Sequence, residues 1–241
     1  MKNLDYSIYY SRFHDDSDDH AEMMADGISW TLRSIVPVDR TAKILDIGCG
    51  FGFALRAFRK MGFSAIKGLE LSTQQAERCR KAGFDVEVCS NAKDWIASQP
   101  LKFDFVVLMD VIEHINVDEQ IETLKAIYEC LGPDGRLFIT TPNANAILAS
   151  RWRYNDYTHS SSFTEHSLYF ILKNAGFTKI DIDSSKGIGA FPKKIWRKAN
   201  WPLLRKWMVR WCWLQVFKAE IPWERIDEIS FELNLTATAT K

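Results

Sequence analysis

The sequence has no excess of charge of either sign, because 31 lysines and arginines balance 31 aspartates and glutamates. Without a global positive field there is little to attract a phosphate backbone, so the composition disfavours nucleic acid as a partner. The chain also shows no apolar run long enough to cross a bilayer and no signal-peptide pattern at residue 1. We therefore expect a cytoplasmic protein, or one that lies peripherally on the inner membrane face.

Cysteine is scarce and its spacing predicts no pairing. The five cysteines lie at positions 49, 79, 89, 130 and 212, an odd number without any C-x-x-C motif. Most fall in apolar or helical contexts, which is typical of reduced thiols in the cytoplasm. A disulfide framework is therefore not expected.

Glycine is concentrated at one place. An apolar strand pattern over residues 43–47 runs directly into Gly48, Gly50 and Gly52. Alternating glycine lets the backbone turn sharply and approach a ligand, and the helical pattern that follows points free N–H groups at the same spot. A dinucleotide-binding G-x-G-x-x-G turn would need its third glycine at position 53, which is Phe53 here. The remaining alternative is a tight strand-to-helix turn that binds nothing.

An acidic residue follows the glycines at a sequence spacing that indicates a ligand-binding role. The second apolar run, residues 65–70, ends in Glu70 about twenty residues after the loop. Nucleoside-binding α/β folds place there the acid that accepts the ribose hydroxyls. Glu70 therefore supports a nucleoside-containing cofactor.

Strand and helix patterns alternate from residue 43 to residue 141. They predict strands over 43–47, 65–70, 84–88, 103–109 and 135–141, with helices over 53–61, 73–82, 91–98 and 117–130. Such alternation predicts an α/β fold with a doubly wound, mostly parallel sheet. Pro133-Asp134-Gly135 predicts a turn between the last of these helices and its strand. A helix over 164–175 follows, and strands over 177–185 and 229–240 are expected to form an antiparallel C-terminal hairpin.

Four motifs recur in a familiar order: Asp46-x-Gly48-x-Gly50-x-Gly52, residues 103–115, residues 131–137, and Thr140-Thr141-Pro142-Asn143. With them, residues 40 to 185 resemble the class I methyltransferases that use S-adenosylmethionine (SAM), in particular the ubiquinone-type O-methyltransferase group. The resemblance implies a Rossmann-like, seven-stranded sheet and SAM as the cofactor.

The same resemblance implies which residues bind SAM. Asp46 would orient the loop and the methionine ammonium, Glu70 would hold the ribose, and Leu71 would pack on the adenine. The full implied set is Asp46, Gly48, Cys49, Gly50, Glu70, Leu71, Asn91 and Met109.

Methyl transfer to a hydroxyl requires that its proton be removed, and two histidines are candidate bases. His114 follows the fourth strand and His159 lies in the loop after the fifth. Asp110-x-x-Glu113-His114 with His159-x-x-x-Phe163-Thr164 also resembles the metal site of small-RNA 3′-terminal 2′-O-methyltransferases. That resemblance implies Asp110, Glu113, His114 and His159 as ligands of Mg or Mn. A metal-free histidine base, or neither role, stays open.

The chain divides by composition into a helical N-terminal cap (1–36), a SAM-binding domain (37–185 and 229–241) and an insert (186–228). In the cap, a helical pattern places Met23, Met24, Ile28 and Leu32 on one side. The cap either covers the cofactor or is a simple packing helix. The insert holds six of the nine tryptophans, and residues 186–218 carry nine lysines and arginines without an acid.

Three interpretations of the insert compete. Tryptophan mixed with basic residues suits peripheral membrane contact through residues 193–218. The same residues could line a groove for sugars or phosphates, or form an extra packing helix or a homodimer contact. Pro202 is expected to divide the insert into two helical pieces. In the second, one face would hold Leu204, Trp207, Met208, Trp211 and Leu214, with Arg205, Lys206 and Arg210 off it.

The loop 153–159 and the ending 233–239 resemble methyltransferases of surface-polysaccharide biosynthesis. This implies O-methylation of a sugar on a glycan or lipid-linked saccharide. The alternatives are methylation of a small molecule or quinone precursor, and a non-catalytic SAM-binding subunit.

Overall fold

A computed structural model of the protein describes residues 8, 14–15, 17–100, 102–183, 201–225 and 229–241. Within these ranges seven strands form one sheet of order β3-β2-β1-β4-β5-β7-β6. The strands are β1 (Ile44–Ile47), β2 (Ile66–Glu70), β3 (Asp85–Val88), β4 (Phe103–Met109), β5 (Leu131–Pro142), β6 (Lys179–Ile182) and β7 (Asn234–Thr240). The helices are α1 (Asp18–Leu32), α2 (Phe53–Lys60), α3 (Thr73–Lys81), α4 (Ala92–Ala97), α5 (Val117–Cys130), α6 (Ala149–Tyr154), α7 (Glu165–Asn174) and α8 (Trp201–Glu220).

Strands β1 to β5 pair in parallel, whereas β7 is antiparallel to both β5 and β6. The alternating strand and helix patterns predicted this arrangement, and the hairpin at the sheet edge is confirmed. Strand order reverses between β1 and β4, which is where open α/β sheets bind ligands. The described hairpin strands, β6 and β7, are shorter than predicted.

The fifth strand also differs from its prediction. Residues 131–142 form one strand, although Pro133-Asp134-Gly135 was expected to turn before a strand over 135–141. The turn survives as a bulge, because Phe103 pairs with Leu131 and Phe105 already pairs with Arg136. Asp134 takes a left-handed φ of 58° there. The residues of the predicted turn therefore form a bulge within β5, and the strand begins at Leu131 instead of Gly135.

The sheet has apolar cores on both faces because strand side chains alternate. Val106 and Leu108 of β4 join a cluster with Leu124 of α5 and Leu168 of α7. The neighbouring residue Phe105 points the other way, into a cluster with residues of α1 and α2. This burial on both faces explains the continuous apolar runs in the sequence.

Helix α1 covers the second of these clusters through a face different from the one predicted. Its buried residues are Ala21, Ala25 and Leu32, while Met23 is 60% exposed. The predicted stripe of Met23, Met24, Ile28 and Leu32 is therefore wrong at Met23. Small alanines allow the helix to lie close to α2.

Helix α8 bears on two expectations about the insert. Pro202 occupies its second residue, a position in the first turn where proline costs no backbone hydrogen bond. The predicted helical piece before Pro202 lies outside the described residues. The inward face is also different, because Arg210 is the most buried side chain of the helix whereas Met208 and Trp211 are exposed.

An ion pair explains the orientation of α8. Arg210 donates to Glu232 at 2.6 Å, and the ring of Phe217 packs edge-on against Phe231 at 5.1 Å. Trp213 donates to the backbone oxygen of Asn145 at 3.0 Å. A buried charge with a partner thus decided the face, which hydrophobic periodicity could not predict. None of the described helices is both long and apolar enough to span a membrane.

We expect Arg210→Ala to loosen α8, because it leaves Glu232 partly buried without its main partner. Amide hydrogen exchange across residues 201–220 should rise about tenfold or more, which corresponds to roughly 1.4 kcal/mol of local opening free energy. Arg205→Ala, on the exposed side of the same helix, is the matched control. Equal exchange in both variants would contradict this role of the ion pair.

Candidate active site

Two adjoining cavities lie at the carboxyl ends of β1 and β4. The first has a volume of about 440 Å³ and the second about 560 Å³. Both are lined by Gly48, Glu70, Leu71, Val111 and His114. The shared lining means that a ligand held by the glycine loop can extend from one cavity into the other.

The glycine loop makes the sharp turn that its sequence predicted, with a left-handed backbone at all three glycines. Gly48, Gly50 and Gly52 have φ values of 74°, 51° and 77°. At Gly48 there is also no room, since a Cβ would lie 2.6 Å from Cγ2 of Val111. Glycine at position 48 thus lets β1 and the end of β4 approach closely.

Glu70 fixes the loop from the neighbouring strand. Its Oε2 accepts from the Gly50 backbone N–H at 2.7 Å and its Oε1 from that of Ser72 at 2.8 Å. Burial raises the pKa of this carboxyl, and the backbone hydrogen bonds oppose the rise. Each carboxylate oxygen keeps a further lone pair, so Glu70 can still accept hydroxyl donors from a ligand.

Asp46 is a buried acid with an unsatisfied oxygen. It is 2% exposed at the end of β1, and its Oδ2 has no hydrogen-bond partner among the described residues. Burial, and then the nearby charge of Glu70, raise its pKa to about 8. The free energy cost of burying such a carboxylate falls when a cation binds beside it.

Three side chains converge on the first cavity from two segments. Glu113 and His114 lie in a short 3₁₀ turn after β4, and His159 lies in the loop before α7. One ligand atom of each lies within 4.8 Å of the other two, and the His114 and His159 rings meet edge-on at 4.6 Å. The resemblance to small-RNA methyltransferases had implied that these three residues meet, together with Asp110.

Glu113 is the least compensated member of this cluster. It is 0% exposed, and although Thr141 donates to its Oε2 at 3.0 Å, its Oε1 has no hydrogen-bond partner among the described residues. That oxygen lies 4.0 Å from Nε2 of His159. Burial, followed by the charge of Asp110, raises the pKa of Glu113 well above its ordinary value. The geometry therefore fits a cation or a proton donor between these atoms.

A hydrogen-bond relay sets the protonation of His114. The Thr158 hydroxyl donates to Oδ1 of buried Asp156 at 2.6 Å, so its oxygen must accept from Nδ1 of His114, 2.7 Å away. The proton of the neutral ring then sits on Nδ1, and Nε2 keeps its lone pair. Burial, and then the charge of His159, lower the pKa of His114 to about 4, so the ring is neutral at pH 7.

His159 is also kept neutral. Burial is the main cause that lowers its pKa, and the carboxylate of Asp156 opposes this shift. Its backbone N–H donates to the Asp156 carbonyl oxygen at 3.3 Å. Asp156 thus holds both histidines in place, one through Thr158 and one through the main chain.

Asp110 lines the same cavity but is already engaged. Its Oδ1 accepts from Thr140 Oγ1 at 3.0 Å and from Asn234 Nδ2 at 3.3 Å. Its backbone is left-handed, with a φ of 56°, which aspartate tolerates better than most residues. Asp110 therefore does not join the group of three potential ligand atoms.

The other residues that the resemblance implied for cofactor binding differ in whether their side chains face a cavity. Leu71 and Asn91 line the second cavity, and Asn91 also caps α4 by accepting from the Asp94 backbone N–H. Cys49 points its side chain away from both cavities, into a small core with Cys79, so only its backbone can face a ligand. The side chain of Met109 packs against the α1 and α2 side of the sheet.

Sequence reasoning missed several residues of the first cavity. Asp156 lines this cavity and Thr158 lies behind it against His114, and neither was predicted to have a role, although Asp-x-Thr is a pattern for a side-chain turn. Trp152 and Asn234, joined by a 2.7 Å hydrogen bond, are 82 residues apart. Only β7, arriving beside β5, brings Asn234 to the cavity, and no local signal could have found it.

Comparison with known proteins agrees with this architecture. Residues 22–182 match the family model described as a methyltransferase domain. This match covers well over half of the chain, which therefore belongs to the methyltransferase domain family. Together with the sheet order and glycine loop, it defines a class I SAM-dependent methyltransferase.

Individual proteins show the same likeness. The chain is 28% identical over 140 residues to a ubiquinone biosynthesis O-methyltransferase of Neisseria meningitidis serogroup C, covering 56% of this chain and 55% of that protein. A Thiobacillus denitrificans enzyme of the same name is 33% identical over 110 residues, covering 43% and 46%. The chain thus spans about half the length of the curated relatives it matches.

The fold also matches a crystal structure of a SAM-dependent methyltransferase from Archaeoglobus fulgidus. The TM-score is 0.69 at 20% identity, covering 98% of this chain and 99% of that one. At this identity the likeness shows the fold alone.

The residues present fit SAM. The orphaned Oδ2 of Asp46 suits the cationic methionine part, and Glu70 lies where ribose hydroxyls would reach it. The second cavity, with Leu71 and Asn91, has room for the adenine. When bound, SAM supplies a methyl group already activated by the positive sulfur.

We predict that SAM binding is linked to a proton on Asp46. Its pKa rises from an ordinary 3.8 to about 8 in the folded protein, so the acid is mostly protonated at pH 7. A bound cation favours the carboxylate, and close to one proton should be released per SAM. Calorimetry in buffers of different ionisation enthalpy measures this number. Asp46→Asn should release none and bind SAM about tenfold to hundredfold more weakly, as for a lost charged hydrogen bond.

The same shift affects stability. The folded protein binds more protons than the unfolded chain between pH 4 and pH 8, so Asp46 makes the free energy of unfolding fall as pH rises through this window. Asp46→Asn should remove this part of the fall. Asp181→Asn, exposed on edge strand β6, should keep it. A wild-type pH profile retained by Asp46→Asn would refute the assignment.

Proposed function

We propose that this protein transfers a methyl group from SAM to a hydroxyl group, on a sugar of a glycan or lipid-linked saccharide. The observation that carries the proposal is the cluster of Glu113, His114 and His159 in the cavity that adjoins the glycine loop. An amine lone pair needs no such help to attack a sulfonium, whereas a hydroxyl must lose its proton. A buried acid with two neutral imidazoles is suited to that task.

The residues also fit a divalent cation, which we include in the proposal. Oε1 of Glu113, Nε2 of His114 and Nε2 of His159 are the nitrogen and oxygen donors that would hold it. This mixed set suits Mn better than Mg. Bound there, the ion would lower the pKa of the acceptor hydroxyl. The predicted fourth ligand, Asp110, would instead hold the site's rim through Thr140 and Asn234.

Side chains of the protein would position the reacting groups and remove the hydroxyl proton. Thr158 and Asp156 hold His114 with its Nε2 lone pair available, and Thr141 fixes one oxygen of Glu113. Without a cation, His159 would be the base and accept the hydroxyl proton at Nε2. With a cation bound, the Nε2 lone pair would hold the ion instead, and the ring would only position the hydroxyl. Alignment of donor and acceptor is a large part of the rate in such a displacement.

The lining of the first cavity supports a sugar acceptor. Beyond the cluster, four polar side chains and one indole form part of the cavity wall: Asp110, Asn155, Asp156, Asn234 and Trp152. Several hydroxyls could be hydrogen-bonded there, and an indole face suits the apolar side of a sugar ring. The relatives named for ubiquinone biosynthesis favour a second candidate, a phenolic quinone precursor.

An acceptor screen tests the proposal. Purified protein, SAM and lipid-linked saccharides or phenolic extracts should yield S-adenosylhomocysteine together with a methylated sugar detected by mass spectrometry. A methylated phenol would favour the second candidate. SAM binding without turnover on any acceptor would contradict both and favour a non-catalytic SAM-binding subunit.

We predict that His159→Ala lowers turnover by about a hundredfold to ten-thousandfold, the usual contribution of an aligned base. SAM affinity should stay unchanged, since His159 lies only in the first cavity. His166→Ala, an exposed histidine in the first turn of α7, is the matched control. Turnover retained in His159→Ala would remove this residue from the mechanism.

A chelator tests the cation. EDTA should abolish turnover and Mn²⁺ should restore it, while His114→Ala should no longer respond to Mn²⁺ because a donor is lost. SAM binding, measured by calorimetry in parallel, should survive EDTA. Full activity in EDTA would show that His159 and Glu113 work without a metal.

A further inference from the structure

The outward face of α8 is apolar and exposed. Trp201, Met208, Val209 and Val216 are each between 45% and 54% exposed, and Cys212 lies among them. At 3.6 residues per turn these positions fall on one arc, opposite the buried Arg210. The helix therefore presents an exposed apolar strip to its surroundings, in which Arg205 is the one charged position.

The inward face of the same helix is apolar as well. Leu204, Trp207, Trp213 and Phe217 are half-buried around Arg210. A helix that is hydrophobic on all sides is normally covered on all sides. The exposed strip thus requires a partner that the described chain does not supply.

Charge decides which partner fits. Arg205 falls within the strip and Lys218 is exposed near the end of the helix, whereas Lys206 is ion-paired with Glu232. The sequence has no Asp or Glu from residue 184 to residue 219. Residues 186–200, which precede the helix, add five more lysines and arginines. Two copies docked strip to strip would bring like charges together, whereas an anionic bilayer would attract them.

The side chains also suit a membrane interface. Tryptophan partitions to the headgroup region, and lysine and arginine keep their charges in water while their stems lie along apolar surface. The helix would then lie in the plane of the bilayer and not cross it.

The strip is close to the proposed acceptor site. On its inner side, Trp213 holds the carbonyl of Asn145 in the loop after β5, and Arg210 holds Glu232 just before β7. Pro142 and Asn234, at the adjoining ends of these two strands, line the first cavity. A surface that binds α8 would therefore lie beside the entrance to that cavity.

We propose that α8 docks this protein on an anionic membrane surface through the strip of Trp201, Met208, Val209, Cys212 and Val216. The mouth of the first cavity then opens beside the lipid headgroups. Docking stands on the helix alone, whereas delivery of a lipid-linked acceptor rests on the proposed function.

Co-sedimentation with vesicles tests the docking without SAM or any acceptor. The protein should bind vesicles of equal parts phosphatidylglycerol and phosphatidylcholine, and high salt should weaken this binding. Met208→Glu with Val216→Glu should weaken it by about tenfold or more, because buried apolar area sets the binding strength. Val38→Glu with Val117→Glu, at valines elsewhere that are more exposed than Met208 and Val216, is the control.

Two results would overturn the proposal. One is a wild-type protein that does not bind these vesicles. The other is a dimer in analytical ultracentrifugation that Met208→Glu with Val216→Glu dissociates, since a second copy would then cover the strip. A protein that binds vesicles but methylates only soluble acceptors would leave docking intact and contradict the lipid-linked acceptor alone.

Discussion

The close approach of the glycine loop to the end of β4 is the constraint on which the site depends. Gly48 leaves no space for a side chain beside Val111, and the parallel pairing of β1 with β4 fixes the distance between them. Because of this contact, the proposed cofactor residues Asp46 and Glu70 lie near the proposed acceptor residues Glu113 and His114. A methyl donor and an acceptor bound to these residues can therefore meet without any large rearrangement.

Buried acids without full partners give the site its chemistry. Asp46 and Glu113 each keep one oxygen unpaired among the described residues, and burial raises the pKa of both. A fold tolerates such groups where ligands compensate them. We interpret the first as a receptor for the cationic cofactor and the second as part of the acceptor-activating cluster. This assignment of one acid to the cofactor and the other to the acceptor agrees with the positions of the two cavities.

The cluster of Glu113, His114 and His159 is assembled from the end of a strand and a separate loop. The turn after β4 supplies Glu113 and His114, but His159 arrives from a loop anchored by Ser160, which donates to the Glu113 carbonyl oxygen at 2.7 Å. Asp156 and Thr158 then set the tautomer of His114. Supporting residues of this kind are polar and local, so their role becomes visible only when the loop is folded onto the strand ends.

The sequence by itself determined the alternating α/β order, the glycine loop and the acid at Glu70. These follow from local periodicity and from the rule that parallel strands end at one edge. The meeting of Glu113 with both histidines was implied by the resemblance to small-RNA methyltransferases and not by periodicity. Tertiary structure alone decided the inward face of α8, the bulge in β5, the turning away of Cys49 and the arrival of Asn234 beside Asp110. Each depends on a partner distant in sequence, such as Glu232 for Arg210, and short-range patterns contain no information about such partners.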